Sequence, residues 1–469
     1  MRRAFWTYLA TGVAVFMVSM DNLVVTNALP VIRTDLNTGL EGLEWTVNAY
    51  TLTFAVLLLT GAALGDRYGR RRLFAVGLTI FTAASAVAAA SQDIGTLIAA
   101  RAVQGLGGAI LMPLTLTLLA SVVAPERRGT AFGIWGAMSG LGVALGPVIG
   151  GGITEYASWH WIFWINVPIG VLLLPVVALV RESRGGAGRL DPLGVLLATG
   201  GLLGLVFGLV RGNGHGWTSG QVLGSLIAGG VLVLAFVAWQ ARARTPMVPL
   251  RLFRDRGFTL INAVSLVMAF GMFGSVFLGA QYLQTVQGYS PFQAGLRTLP
   301  WTAMPVLAAP VSGILSDRFG ARRIVALALA LQAAGIAWLA LEITPTLPYP
   351  RLIPPFVLAG LGMGLFFAPV ARLALGFAPR ELEGVASGTS NALRQFGTVL
   401  GVAVLGSVFS TFGGYASGAD FVTGTAAAQK IGAVALGVGA VLALALPAVR
   451  QPVAQPVPEA AAELAPVTG

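Results

Sequence analysis

The chain contains no cysteine, which excludes a disulfide framework and any thiolate metal site. Its two histidines, His160 and His215, fall near the ends of apolar runs and read as surface residues. Lys430 is the single lysine among 29 basic residues, and no glycine precedes it. The Gly-Lys-Ser/Thr loop that holds nucleotide phosphates is therefore absent. No nucleophile–base pair and no metal cluster is visible, so the sequence gives no reason to expect an enzyme, a metal or a cofactor. Any work the chain does must draw on an ion gradient or a partner protein. Charge is scarce as well. Of 469 residues, 10% are charged and 56% hydrophobic, whereas soluble domains carry about 25% charged residues. So few charges cannot cover a large protein in water.

Long apolar runs are what the chain has instead. A membrane-spanning helix needs about 20 mostly apolar residues, and fourteen such runs follow one another. They lie at 7–30, 44–64, 73–91, 95–122, 130–152, 160–180, 192–211, 219–239, 258–284, 291–315, 324–342, 352–373, 385–411 and 430–449. Backbone groups in lipid must be satisfied within each segment, so these runs are helices. Arg2 and Arg3 precede an apolar run too long for a cleavable leader.

The net charge of +11 would suggest nucleic acid in a soluble protein. Here the arginines mark alternate loops: Arg67 and Arg70 to Arg72, Arg127 and Arg128, Arg181 to Arg189, Arg242 to Arg256, Arg318 to Arg323, and Arg380. The opposite loops hold only Arg33, Arg211, Arg351 and Lys430. Basic loops stay inside, so both termini are expected in the cytoplasm of a bacterial inner membrane, with lipid rather than nucleic acid as the partner. Arg101, Arg297, Arg372 and Arg394 fall within spans or at their edges.

One segment recurs. Gly65-Asp66-Arg67-Tyr68-Gly69-Arg70-Arg71-Arg72 follows the second span, and Ser316-Asp317-Arg318-Phe319-Gly320-Ala321-Arg322-Arg323 follows the tenth. Six spans then form a first unit (1–184), spans seven and eight an inserted pair (185–250), and six more a second unit (251–450). The Pro/Ala-rich tail (451–469) is expected to be disordered.

The loop from Gly65 to Arg72 resembles the hallmark loop of the major facilitator superfamily. Ala62 stands where that pattern opens with Gly, and the second copy keeps it as Gly313. Asp66 at a helix terminus can pair with a nearby arginine and clasp neighbouring helices. Gly65, Asp66, Arg67, Gly69 and Arg70, with Asp317, Arg318 and Gly320, are the expected conformational clasp. A plain basic loop would explain the arginines but not the repeated Asp-Arg-aromatic-Gly core.

In the fourth span Leu97, Arg101, Gln104, Gly105, Gly107 and Gly108 resemble the superfamily's intramembrane arginine motif. A membrane arginine is costly and faces a partner. Asp21 in the first span reads as the only carboxylate deep in any span. It lies nine residues before Pro30, and Arg101 six after Gly95. At about 1.5 Å per residue they sit roughly 13 and 9 Å from the same interface. The surrounding Met20-Asp21-Asn22 to Leu29-Pro30 resembles the first-span motif of the fourteen-helix drug/proton antiporters. Asp21 and Arg101 are the expected proton-coupling pair, with Asp21 the carrier and an attractor of cationic substrate. The alternative is a permanently paired structural acid.

In the fifth span Gly142, Gly146, Pro147, Gly150 and Gly151 resemble the antiporter signature, whose expected role is packing and gating. Trp161 to Gly170, Tyr282 to Leu296 and Arg394 to Ala403 extend the resemblance over nearly all of residues 7–449. One departure is the tenth span, which has Arg297 and no carboxylate. That weighs against divalent cations and limits the proton count. Candidate cavity residues are Asn22, Trp45, Asn48, Tyr50, Gln104, Trp135, Met138, Asn262, Gln281, Gln284 and Arg394. Arg394 is either satisfied structurally or lines a wet, anion-binding cavity.

The resemblance implies an all-α membrane protein with two pseudo-symmetric six-helix halves and a two-helix insertion. It further implies a proton-coupled antiporter exporting lipophilic, cationic drugs, so small-molecule substrate and protons are the expected partners. A periplasmic adaptor is a partner left open. The alternatives are a dedicated exporter of one endogenous metabolite, and a membrane sensor or scaffold that transports nothing.

Overall fold

A computed structural model describes residues 2–124, 128–185, 190–379 and 382–447. Arg127, Arg189, Arg380 and the tail 451–469 lie outside them. Among the described residues there is no strand, and fourteen helical segments are long and apolar enough to cross a membrane. They are α1 (Ala4–Asp35), α2 (Leu40–Tyr68), α3 (Arg70–Ala89), α4 (Ile94–Val122), α5 (Ala131–Tyr156), α6 (Trp161–Leu179), α7 (Pro192–His215), α8 (Gly220–Arg242), α9 (Arg256–Thr285), α10 (Pro291–Phe319), α11 (Ala321–Glu342), α12 (Tyr349–Gly376), α13 (Glu383–Phe412) and α14 (Gly418–Leu444).

Polar caps set several of the starts. The side chains of Asp93, Asp191, Ser219, Asp255, Ser290 and Ser417 each accept a backbone N–H from the first turn of α4, α7, α8, α9, α10 and α14. These donors have no partner within the helix. Two segments are broken. α6 is interrupted at Ile165 and resumes at Asn166. α10 is interrupted at Ala303, where Pro305 has no N–H to offer the Trp301 carbonyl.

The packing repeats in the order of the sequence. α1 lies against α5, α2 against α4, α3 against α4, and α3 against α6. Eight spans later α9 lies against α13, α10 against α12, α11 against α12, and α11 against α14. The two sets meet along α5 with α10 and along α2 with α13. The inserted helices α7 and α8 pack on each other, and α7 rests on α13 and α2.

Small residues allow the closest approaches. A Cβ on Gly105 of α4 would stand 2.4 Å from the Tyr50 carbonyl oxygen of α2, and one on Gly397 of α13 2.2 Å from that of Leu266 in α9. Leu223, Ile227, Val231 and Leu234 of α8 stand exposed, an apolar face suited to lipid. The ends of the bundle differ: the repeated Asp-Arg loops lie at one end, called the basic end below.

Candidate functional site

α1, α4 and α6 bring a polar cluster into the apolar interior of the first six spans. Arg101 and Gln104 lie three residues apart on one face of α4, and Arg101 Nη1 donates to Gln104 Oε1 at 2.7 Å. Arg101 Nη1 also pairs with Asp21 Oδ2, both side chains being 1% exposed. Gln104 Nε2 donates to Asp21 Oδ1 at 2.8 Å and to Ser85 Oγ at 2.9 Å. Asn166, the first residue after the break in α6, donates to Asp21 Oδ1 at 3.3 Å. Arg101 Nε donates to the Thr46 carbonyl at 3.2 Å.

The guanidinium carbon lies 4.3 Å from the centre of the Tyr50 ring and 5.8 Å from that of Phe163. Every recorded neighbour of the Asp21 carboxylate is a donor, the pattern that an ionised acid accepts. Replacing the carboxylate by a neutral acid would leave Arg101 a buried cation without its counterion, so proton binding and rearrangement of this cluster go together.

A second group of contacts joins the two sets of helices away from the basic end. Asn27 Nδ2 donates to the Pro147 carbonyl at 2.9 Å and to that of Pro291 at 3.0 Å. Gln284 Nε2 donates to the Asn27 carbonyl at 2.7 Å. Glu155 accepts from Ser290 Oγ and, at 2.9 Å, from the Phe292 N–H. The α5 glycines make room for these approaches. A Cβ on Gly142 or Gly150 would reach the carbonyl oxygens of Phe16 and Val24 in α1 at 2.7 and 2.8 Å, and one on Gly146 would meet Leu23. A Cβ on Gly151 would lie 2.2 Å from the Pro291 oxygen of α10. Among the described residues, hydrogen bonds between α1–α6 and α9–α14 fall between mid-span (Thr302 to the Ala144 carbonyl) and the end opposite the basic one.

At the basic end the two copies of the repeated loop share a local form. Gly69 and Gly320 close α2 and α10 with φ of 110° and 89°, a region that disfavours side chains. Arg67 lies over the Tyr68 ring and Arg318 over that of Phe319, each at 5.3 Å. Their acids take different partners. Asp66 accepts from Arg70 Nε at 2.7 Å, within the same loop. The Asp66 carbonyl accepts the Gly185 N–H at 3.2 Å, and Arg70 N–H donates to the Ser183 carbonyl at 2.9 Å. Glu182 accepts the Arg71 N–H at 2.9 Å. The first loop thus grips the chain that leaves α6, close to where Gly65 packs on Leu114 of α4. Asp317 instead pairs with Arg372 of α12.

The candidate cavity residues scatter. Two adjoining clefts lie between the helix sets, near mid-span. One is lined by Asn22, Thr51, Phe273, Phe277, Gln395 and Thr398, the other by Asn27, Pro147, Thr298, Trp301 and Phe356, and both by Leu23, Thr26 and Val276. Of the expected residues only Asn22 lines them. Tyr50 and Gln104 belong to the Asp21 cluster. Trp45 packs against Phe207 of α7. Trp135 Nε1 donates to Thr115 Oγ1 at 2.9 Å, and Met138 lies beside Gly12 of α1. Asn262 donates to its own helix at Phe258, and Asn48 is buried in α2. Gln281 accepts from Tyr415 Oη within the second set of helices, and Gln284 reaches Asn27 across the two sets. Arg394 Nη2 donates to Asn391 Oδ1 at 2.5 Å, with Phe367 under the guanidinium at 5.2 Å.

Asp21 is also not the only buried acid in a span. Glu44 is 2% exposed within α2. Because α2 begins at Leu40, earlier than hydropathy suggests, Glu44 lies inside the helix instead of at its edge. His160 is half-buried and hydrogen-bonds Ser158 Oγ through Nδ1 at 2.8 Å.

The Major Facilitator Superfamily model matches residues 11–402 and again 280–469. The chain belongs to the major facilitator superfamily. It is 36% identical over 414 residues to the tetracenomycin C resistance and export protein of Streptomyces glaucescens, covering 87% of this chain and 76% of that one. It is 39% identical over 399 residues to a cephamycin export protein of Amycolatopsis lactamdurans, covering 83% and 82%. With the multidrug resistance protein Stp of Mycobacterium tuberculosis (strain ATCC 25618 / H37Rv) the identity is 35% over 415 residues, covering 88% and 77%. Among solved structures, a peptide transporter crystallised with sulfate aligns with a TM-score of 0.68 at 18% identity, over 94% of each chain. A nucleoside transporter aligns at 0.66 and 13%, covering 94% of this chain and 99% of that one. These superpositions establish the major facilitator fold. With the fourteen apolar helices, they make this superfamily member a multi-pass membrane protein.

Proposed function

We propose that this chain is a proton-coupled exporter of small lipophilic molecules, seated in a bacterial cytoplasmic membrane with both termini and the basic loops in the cytoplasm. The resistance and export proteins it resembles support the direction of transport. The distribution of arginine supports the orientation. The observation that carries the coupling is the buried Asp21 cluster, in which a carboxylate and an arginine are satisfied by each other and by two amides.

The residues 1–184 and 251–450 act as two six-helix bodies that rock about the central clefts, with 185–250 as the inserted pair. The described state is closed to the outside through Asn27, Gln284 and Glu155. Substrate enters from the cytoplasm or inner leaflet while Asp21 is ionised. After the bodies tilt and the closure at α5 and α10 parts, substrate leaves outward. Asp21 then takes a proton as Arg101 parts from it and keeps its bonds to the Thr46 carbonyl and Gln104. Return of the protonated state and release of the proton inside complete the cycle. The Asp66 and Asp317 clasps stabilise one end state and part in the other. Substrate moves without chemical change.

The clefts define the substrate by aromatic and aliphatic walls with amide and hydroxyl groups at Asn22, Thr51, Gln395 and Thr398. Asp21 is engaged elsewhere, and no acid lines either cleft among the described residues. Hydrophobic fit with hydrogen bonding, rather than positive charge, is therefore the selection this reading favours. The test is efflux of ethidium (cationic) and Nile red (neutral) from an efflux-deficient bacterium expressing the chain. The expected result is export of Nile red that a protonophore stops. Export that survives the protonophore would reject proton coupling, and export of ethidium alone would restore the cation preference.

A further inference from the structure

Glu44 has no part in the cycle just described, yet it is a carboxyl placed with unusual economy. It sits four residues into α2, about 6 Å from that helix's end at 1.5 Å per residue, on the side opposite the basic loops. Its Oε1 is buried and has no hydrogen-bond partner. Across from it α13 presents Gly406. A Cβ there would stand 1.7 Å from Glu44 Oε1, and its next two neighbours would be Cδ and Cγ of the same side chain. The acid thus fills a space left by a missing side chain on the facing body, where α2 meets α13.

Of the charges around it most are paired, while Arg33 of α1 keeps a buried Nε without a hydrogen-bond partner. On its own helix Glu41 pairs with Arg211 of α7 at 2.7 Å. The guanidinium of Arg33 in α1 lies 3.7 Å from the centre of the Tyr415 ring, in the connector after α13. Burial pushes the Tyr415 phenol well above its ordinary value, and Arg33 opposes this. α4 offers Asp93, which caps its own helix through Thr96, and Arg101, which is held by Asp21. From Gly401 to Phe412, α13 carries no titratable side chain. No ion pair or hydrogen bond reaches Glu44 Oε1 among the described residues, and an ionised carboxylate so buried is heavily penalised.

We propose that Glu44 is a second proton-binding site, loaded from the outside, whose proton is required for α2 and α13 to close over it. The proposal rests on the exporter reading for its place in the cycle. When the bodies part at the outer end, Glu44 meets water and ionises. Before they can close again it must bind a proton, which returns to the outside on the next opening. Glu44 therefore ties the return step to external acidity without adding to the protons carried across. The sign follows from linkage: closure is favoured at low pH and lost as pH rises.

The chain has no cysteine, so two introduced ones are unique. Thr34 at the end of α1 and Thr346 between α11 and α12 are both exposed at the outer end. Spin labels at Thr34→Cys and Thr346→Cys in the full chain, in lipid nanodiscs, report opening there by pulsed dipolar spectroscopy. From about pH 5 to about pH 9 the open-to-closed ratio is expected to rise, by up to about tenfold per pH unit, the limit for one linked proton. Glu44→Gln should hold the closed distance across that range, and the Asp21→Asn background should keep the Glu44-dependent transition.

Gly406→Ala, whose methyl displaces the carboxyl, should open the outer end at every pH, and Glu44→Ala with Gly406→Ala should restore closure. An unresponsive distance in the otherwise native chain, or a Glu44→Gln titration that matches it, would overturn the proposal. So would a Gly406→Ala protein that closes as before. The distance needs no substrate. A chain that exports neither dye therefore leaves this test standing, and loss of the pH response leaves the exporter reading standing.

Discussion

Asp21 and Glu44 are both carboxylic acids at 2% exposure inside one bundle, and they solve burial in opposite ways. Asp21 is surrounded by donors from α4 and α6, all within the first six spans. Glu44 meets a bare glycine from the other set of helices. The first environment keeps a charge and needs a rearrangement to take a proton. The second has nothing to offer a charge and needs to open to lose a proton. Burial alone therefore says little about an acid in a membrane protein. What matters is whether its partners lie on the same rigid body or across the interface that moves.

The largest effect expected from breaking this contrast is at Arg101. Arg101→Ala leaves Asp21 buried without its counterion, at a cost of about 3–5 kcal/mol. Thermal unfolding in detergent should show a marked fall, and Asp21→Asn combined with Arg101→Ala should recover part of it. An unchanged midpoint would mean that the pair is solvated. Gln104→Leu comes next. It removes a donor to Asp21 and Ser85 and an acceptor for Arg101, a loss of about 1–3 kcal/mol. Glu44→Gln is the smallest, because no hydrogen bond to Oε1 is broken. A drop as large as that of Gln104→Leu would erase the distinction between the two acids.

Much of the first environment is legible in the chain. Counting residues from Pro30 and from Gly95 places Asp21 and Arg101 at one depth, because helix rise is constant and lipid forbids other backbone forms. The spacing of Gly142, Gly146 and Gly150 likewise foretells close packing, although their partner, α1, is visible only in three dimensions. Glu44 is obscured by its neighbours Asp35, Glu41 and Arg33. A hydropathy window reads such a stretch as a wet loop, and burial there depends on Gly406, more than 350 residues away. The cavity suffers from the same limit. Polar side chains such as Gln281 and Gln284 look like pocket walls in sequence. Instead Gln281 is bound by Tyr415 within its own set of helices, and Gln284 joins the closure through Asn27. Asn27 was missed although it lies in the same first-span segment as Asp21. Its carboxamide reaches the carbonyls of Pro147 and Pro291, one in each set of helices.

The central claim is that Asp21 links substrate movement to protons. It is tested most directly in proteoliposomes holding Nile red, with the native chain compared to Asp21→Asn. Two rates are measured: dye movement driven by an imposed pH gradient, and dye exchange with no gradient. The account predicts that Asp21→Asn abolishes the driven component while exchange persists, because the substitution keeps the size of the side chain and, like the protonated acid, lacks its charge. Gradient-driven movement that survives in Asp21→Asn would contradict it.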